Sequence, residues 1–166
     1  KNQKLFDEMQ TAMHQVPNLY ATFAYSENAL GAYLAAENAP TSLSPREVET
    51  VNLAVSQVNN CVYCLSAHRL VAKANGFKEQ EVAELRAGKA SFDPKLNILS
   101  QLAKSIAEQR GHIDPTLLDN FFAAGYTKEN LVDTIMLIGI RSITNFQHAI
   151  TKVPVDFTLA PLLENS

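Results

Sequence analysis

Cysteine is scarce in this chain: 166 residues hold only Cys61 and Cys64, too few for a disulfide scaffold. A Cys-x-x-Cys pair in so long a chain suits redox cycling or metal binding in a reducing compartment, and no basic n-region followed by an apolar h-region marks a secretory leader. The cytoplasm is the expected location. Excess positive charge is missing too, the net charge being −3, so neither nucleic acid nor an anionic membrane is favoured as a partner. No apolar run reaches the roughly 18 residues of a membrane-spanning helix; the longest candidate, LVDTIMLIGI at 131–140, is short and carries Asp133. Sustained period-two alternation is absent, which argues against a sheet and removes the βα setting of a thioredoxin-type pair. Phosphate-binding glycines and a G-x-S-x-G context for Ser66 are lacking as well.

What remains is an ordinary globular composition, 46% hydrophobic and 19% charged, expected to form one domain over residues 1–166. A chain of this length buries about two thirds of its unfolded surface without staples. Leu5, Met9 and Met13 form a helical stripe in residues 1–14, and Leu19, Phe23, Leu30 and Leu34 form another in 18–37, with Gly31 its weak point. Ser44-Pro45-Arg46-Glu47 is a capping box with proline at the first helical position, opening a helix striped by Val48, Val51, Val55 and Val58. Asn59-Asn60 turns the chain into a partner helix from Cys61 to the C-cap pair Asn75-Gly76. A short helix from Glu79 to about Ala87 follows. Asp93-Pro94 and Asp114-Pro115 open two more helices, stopped by Gly111 and Gly125, and Thr127 caps the last one. That helix is apolar on nearly every side from Leu131 to Ile150, which predicts central burial or burial against another subunit. From Val153 the tail carries Pro154 and Pro161 and reads as an extended arm. The fold class is all-α, a bundle of about seven helices.

The chemistry concentrates in residues 44–68. At 3.6 residues per turn, Cys61, Cys64 and His68 fall within about 60° of one another around a helix axis. Folding about Asn59-Asn60 sets Glu49 roughly 15 Å back along one helix and His68 roughly 12 Å along the other, so the two come level. The order of contacts becomes Glu49 to His68 to Cys64, an acid orienting a base that activates a thiol. Two other readings stand beside it. Free cysteines are among the most buried residue types, and Cys-x-x-Cys is half of many zinc sites, although only Glu49 or His148 could complete the set here. A redox role fits the residue types directly: a thiolate attacks a hydroperoxide, and the resulting sulfenic acid condenses with a neighbouring thiol. The helix start favours thiolate on Cys61 and His68 favours it on Cys64. His148, near the end of the last helix, suits the helix dipole or an auxiliary place in the site.

Glu49, eleven residues, Cys61-Val-Tyr-Cys64, three residues and His68 resemble the signature of the alkyl hydroperoxidase D (AhpD)-like proteins of the carboxymuconolactone decarboxylase superfamily. The similarity runs on through LVAKANGF, and ITNFQHAITKVPVDFTLAP at 143–161 also resembles the C-terminal region of such proteins. The resemblance implies an AhpD-like helical bundle whose central hairpin carries the pair, with Cys64 peroxidatic and Cys61 resolving. His68, four residues after Cys64, points to the same choice. It implies a thiol-dependent peroxidase recharged by a dithiol, whether lipoyl-bearing, thioredoxin-like or a small thiol, and assembled as a homotrimer or homohexamer. No cofactor and no metal are expected. The family pattern has His directly before the second cysteine where this chain has Tyr63, a hydrogen-bond donor but a poor base near neutral pH. A decarboxylase-type lyase of the same superfamily is the alternative, though true carboxymuconolactone decarboxylases do not depend on such a pair. A non-enzymatic thiol sensor or metal-binding module is the third reading.

Overall fold

The computed structural model describes residues 2–163. Its helices are α1 (Asn2–Met13), α2 (Asn18–Phe23), α3 (Ala29–Glu37), α4 (Pro45–Val58), α5 (Val62–Ala74), α6 (Glu79–Arg86), α7 (Pro94–Gln109), α8 (Pro115–Ala123) and α9 (Lys128–Thr151), with no strand among the described residues. The all-α expectation holds. Local capping explains most starts: Ser44 Oγ accepts from the Glu47 amide while the Glu47 carboxylate accepts from the Ser44 amide, Thr127 and Asn130 make the same reciprocal pair at α9, and the Asp93 and Asp114 carboxylates accept first-turn amides of α7 and α8.

The stretch expected as one helix over 18–37 is two. Its break lies at residues 24–28, not at Gly31, which sits inside α3. The physical cause is the run Ser26-Glu27-Asn28, where Ser26 Oγ accepts from the Ala29 amide at 3.2 Å and restarts the helix locally. Between α4 and α5 the chain turns where the asparagines predict. Asn59 is the C-cap, Asn60 takes the left-handed conformation at φ 51°, and the Cys61 amide reaches back to the Ser56 carbonyl at 3.0 Å.

Helix α4 is the axis of the fold. It packs against α5, α6, α7 and α9, and residues 49–56 are all buried. One apolar core joins α4 to α6, α7 and α8 through Val51, Leu85, Leu99 and Phe121; a second joins α1, α2 and α3 to the cysteines and Ile140. Burying about 25 cal/mol of driving force per Å² of apolar surface, these two clusters hold the hairpin rigid between them. The tail after Thr151 has no regular element up to residue 163, as expected, and it is fastened down: Val153, Val155 and Phe157 pack on the second core and Ala160 on the first.

Of the two expectations for α9, central burial is not what one chain shows, and burial against another subunit stays open. Its inner face buries Thr134, Ile138, Arg141, Thr144 and Asn145, while Val132, Ile135, Met136, Ile143, Phe146 and Ile150 lie exposed on its outer face.

Candidate active site

The hairpin of α4 and α5 brings the expected residues together. Glu49, on the buried flank of α4, accepts from His68 Nδ1 on α5 at 2.8 Å. That contact fixes the tautomer: with Nδ1–H given to the carboxylate, a neutral imidazole keeps its lone pair on Nε2. Cys61 is the N-cap of α5, its sulfur accepting from the Cys64 amide at 3.3 Å. The two sulfurs are 2.6 Å apart, inside non-bonded contact and outside the ~2.05 Å of a disulfide, and both residues are free thiols with almost no exposure.

The two thiols are not equivalent. Cys64, His68, Glu49 and Tyr63 line a cavity of about 340 Å³ whose remaining wall is mainly apolar, from Met13, Leu19, Leu70, Val71 and Phe157. Cys61 is not among its lining residues. The Cys61 thiol donates toward Cys64, which holds the Cys64 thiol down to about 6 against the opposing effect of burial, helped by the charges of Arg141 and His68 and by the amide of Asn145. Cys61 is pushed up by giving that proton to Cys64, by burial and by the charge on Cys64.

Tyr63 is tied away from the sulfurs. Its hydroxyl donates to Asp156 of the C-terminal arm and accepts from the Leu19 amide, and burial together with the Asp156 acceptor raises its pKa. His148 stands behind it, ring centroids 5.2 Å apart, and gives its Nε2 hydrogen to the Val153 carbonyl at 3.0 Å. The structure therefore brings Cys61, Cys64, His68, Glu49 and Tyr63 together and sets His148 outside the cavity lining as a buttress of the arm. Among the described residues no group of three or more His, Cys, Asp or Glu is placed to hold a metal ion.

Several site residues have no signature in the hairpin. Arg141 on α9 and Glu37 at the end of α3 form an ion pair at 2.6 Å on the same cavity. Asn52 bridges them to the relay, its Oδ1 accepting from Arg141 Nε at 3.0 Å and its Nδ2 donating to Glu49 Oε1 at 3.1 Å. Asn145 accepts from Asn59 at 3.0 Å and donates to Ser56 at 3.2 Å, pinning α9 to the turn that carries Cys61. A single arginine inside an otherwise apolar helical run was the one available sign of Arg141, since a charge is kept there only when it is paired.

Comparison with known proteins agrees with the fold. Residues 24–105, close to half of the chain, match the model of the carboxymuconolactone decarboxylase family. Solved structures share the fold: a peroxidase-related protein from Silicibacter sp. TM1040, 22% identical with a TM-score of 0.80, is matched over 96% of this chain and 84% of its own. A peroxidase-related protein with an AhpD core from Ralstonia eutropha JMP134 follows at 20% identity and TM-score 0.79, over 89% of this chain and 80% of its own. The debrominase Bmp8, solved in complex with 2,3,4-tribromopyrrole, is similar at 14% identity and TM-score 0.76, over 92% of this chain and 84% of its own. No curated protein sequence matches. Over residues 24–105 the chain is thus similar to the carboxymuconolactone decarboxylase family, and its fold is that of the AhpD-core structure.

Proposed function

We propose that the protein is a thiol-dependent peroxidase that reduces hydroperoxides through Cys64 and Cys61. The observation that carries this reading is the asymmetry of the pair: sulfurs 2.6 Å apart, with only Cys64 opening on the 340 Å³ cavity that it shares with the His68–Glu49 pair. His68, oriented by Glu49, takes the Cys64 proton, and the thiolate attacks the distal oxygen of the hydroperoxide. The O–O bond breaks, its electron pair leaves with the alkoxide, and His68 returns the proton to give an alcohol. Cys64 is left as a sulfenic acid. Cys61 then attacks that sulfur, water departs, and a disulfide forms. A dithiol, lipoyl-bearing or thioredoxin-like, or a small thiol restores the pair by exchange. The mainly apolar wall suits an organic hydroperoxide.

The exposed apolar outer face of α9 belongs in this reading to contact with further copies of the chain, in a homotrimer or homohexamer working in the cytoplasm. Static light scattering at micromolar concentration tests it, and a monomer would sink it. The activity is tested by peroxide consumption with a panel of reductants. Turnover coupled to reversible loss of two hydrogens from the pair supports it, whereas a decarboxylase-type lyase or a metal-binding module would leave both cysteines reduced and a thiol sensor would be oxidised without turning over.

A further inference from the structure

The cavity that Cys64 lines is also lined by a cation that the Glu49–His68 relay does not include. We propose that Arg141 is a positioning residue that holds Cys64 in its reactive thiolate form, with Glu37 tempering its charge. The assignment rests on the thiol-peroxidase reading for its purpose, while its test needs no peroxide.

Arg141 is 3% exposed and lines the cavity of Cys64. Its guanidinium stays protonated in any protein setting, and its donors are committed: Nε to Asn52 at 3.0 Å, Nη1 to the Tyr33 hydroxyl at 3.2 Å and to Thr144 Oγ1 at 3.1 Å, and Nη2 to Glu37 at 2.6 Å. The plane is therefore fixed on the cavity wall. A buried charge contributes little net stability compared with a well-packed apolar residue, and a cation kept in a cleft beside a thiol has a use there. Glu37 does not cancel it. The Glu37 side chain is 21% exposed against 3% for Arg141, so water screens the carboxylate more than the guanidinium, and the positive field persists on the drier side where Cys64 lies.

The other charged and titratable neighbours of Cys64 make this division of labour necessary. Helices α2, α3 and α4 contribute Tyr20, Tyr33 and the acids Glu37 and Glu49; α5 contributes Cys61, Tyr63 and His68; the arm brings Asp156 behind Tyr63. From α9 come Arg141 and, behind Tyr63, His148. Among these described residues, three acids and one permanent cation surround the thiol. A standing counter-charge cannot be left to His68, whose charge comes and goes with the proton it carries as a base. Arg141 supplies that charge, and the Asn52 strut ties its position to Glu49. The lowering of the Cys64 pKa by Arg141 agrees with this geometry.

The test is the pH profile of Cys64 alkylation by iodoacetamide in the reduced protein, resolved by mass from Cys61, with folding checked by circular dichroism. Glu37→Gln leaves Arg141 charged and uncompensated, so the inflection should move to lower pH. The double variant Arg141→Met, Glu37→Gln removes both charges together, and its inflection should move up by about one unit, slowing alkylation roughly tenfold below it. Opposite shifts support the proposal. A profile unchanged in the single variant, or the two variants shifting the same way, overturns it; if the double variant fails to fold, the single variant decides alone. Loss of peroxide turnover in the wild type with these opposite shifts intact would sink the peroxidase reading and leave the Arg141 assignment standing.

Discussion

Helices α4 and α9 lie side by side and line the same site, yet they differ in what they leave outside. On α4 residues 49–56 are buried all round, Val51, Leu53, Ala54 and Val55 among Thr50, Ser56 and the two polar residues that reach the site, Glu49 and Asn52. On α9 the polar residues Thr134, Arg141, Thr144 and Asn145 are inside and a row of large apolar residues is outside. A helix that turns polar groups inward must satisfy each of them: Arg141 and Asn145 reach Tyr33, Glu37, Asn52, Ser56 and Asn59, while Thr134 and Thr144 donate to the Asn130 and Arg141 carbonyls of α9 itself. The contrast separates two kinds of work. Helix α4 holds the domain together and carries the acid, whereas α9 is a polar wall for the site with an apolar back.

The sharpest way to break this comparison is to remove the chemistry of the hairpin. Cys64→Ser should abolish rapid reaction with peroxide, and Cys61→Ser should trap a sulfenic acid on Cys64; fast sulfenylation of Cys61 in Cys64→Ser, read by a sulfenic-acid probe and mass spectrometry, would reverse the assignment. Next come the relay variants. Glu49→Gln and His68→Gln should each cut turnover by roughly 10- to 10⁴-fold with the fold intact, and the double variant should lose little more than the worse single one, because groups acting as a unit are not additive. Multiplicative losses would mean that Glu49 only packs beside the thiols.

Smaller effects are expected on α9. Arg141→Ala strands Glu37 in a half-buried place and should cost ~3 kcal/mol in denaturant unfolding, more than the charge-free pair Arg141→Met, Glu37→Gln. The same pair sets an acid limit. Burial alone would raise the Glu37 carboxyl, but the Arg141 charge and hydrogen bond with the field of His68 and the Tyr33 hydroxyl bring it below its usual value. Its stabilising contribution is thus full above the ordinary carboxylate pKa of about 4.3 and is lost as pH falls through the lower folded value. Acid-unfolding curves of wild type and Glu37→Gln should diverge above that window and converge below it. The smallest effect is on the apolar back: Met136→Glu or Phe146→Glu should change monomer stability by about 0.5 kcal/mol or less while lowering the assembly mass seen by light scattering.

How far the sequence reveals each helix follows from the same contrast. The hairpin was readable because its signals are local: a capping box at Ser44, the Asn59-Asn60 turn, and motif residues whose helical spacing sets Glu49 level with His68. Arg141 and Glu37 are 104 positions apart, and only the folded chain shows that they meet. The polar inside of α9 was hidden for a related reason, since an apolar majority on a helix predicts burial without telling which side the minority faces. The break at residues 24–28 was masked by the apolar stripe running across it, while Ser26 and Asn28 offered side-chain alternatives to the helical ladder.

The C-terminal arm bears on the order in which the protein comes into being. Asp156 holds the Tyr63 hydroxyl and the Asn18 amide, Ser66 holds the Ala160 amide, and Arg86 holds the Pro161 carbonyl, each across 75 or more positions of chain. These are among the last residues to be synthesised of those described, so the hairpin forms first and is strapped only when they arrive. A nascent chain thus carries both thiols in an unsealed pocket until residues 153–161 have emerged. Deleting residues 153–163 should leave the helical content nearly unchanged while speeding exchange of the α2 and α5 amides, measured by hydrogen–deuterium exchange; unaltered protection would show that the strap contributes nothing to closing the site.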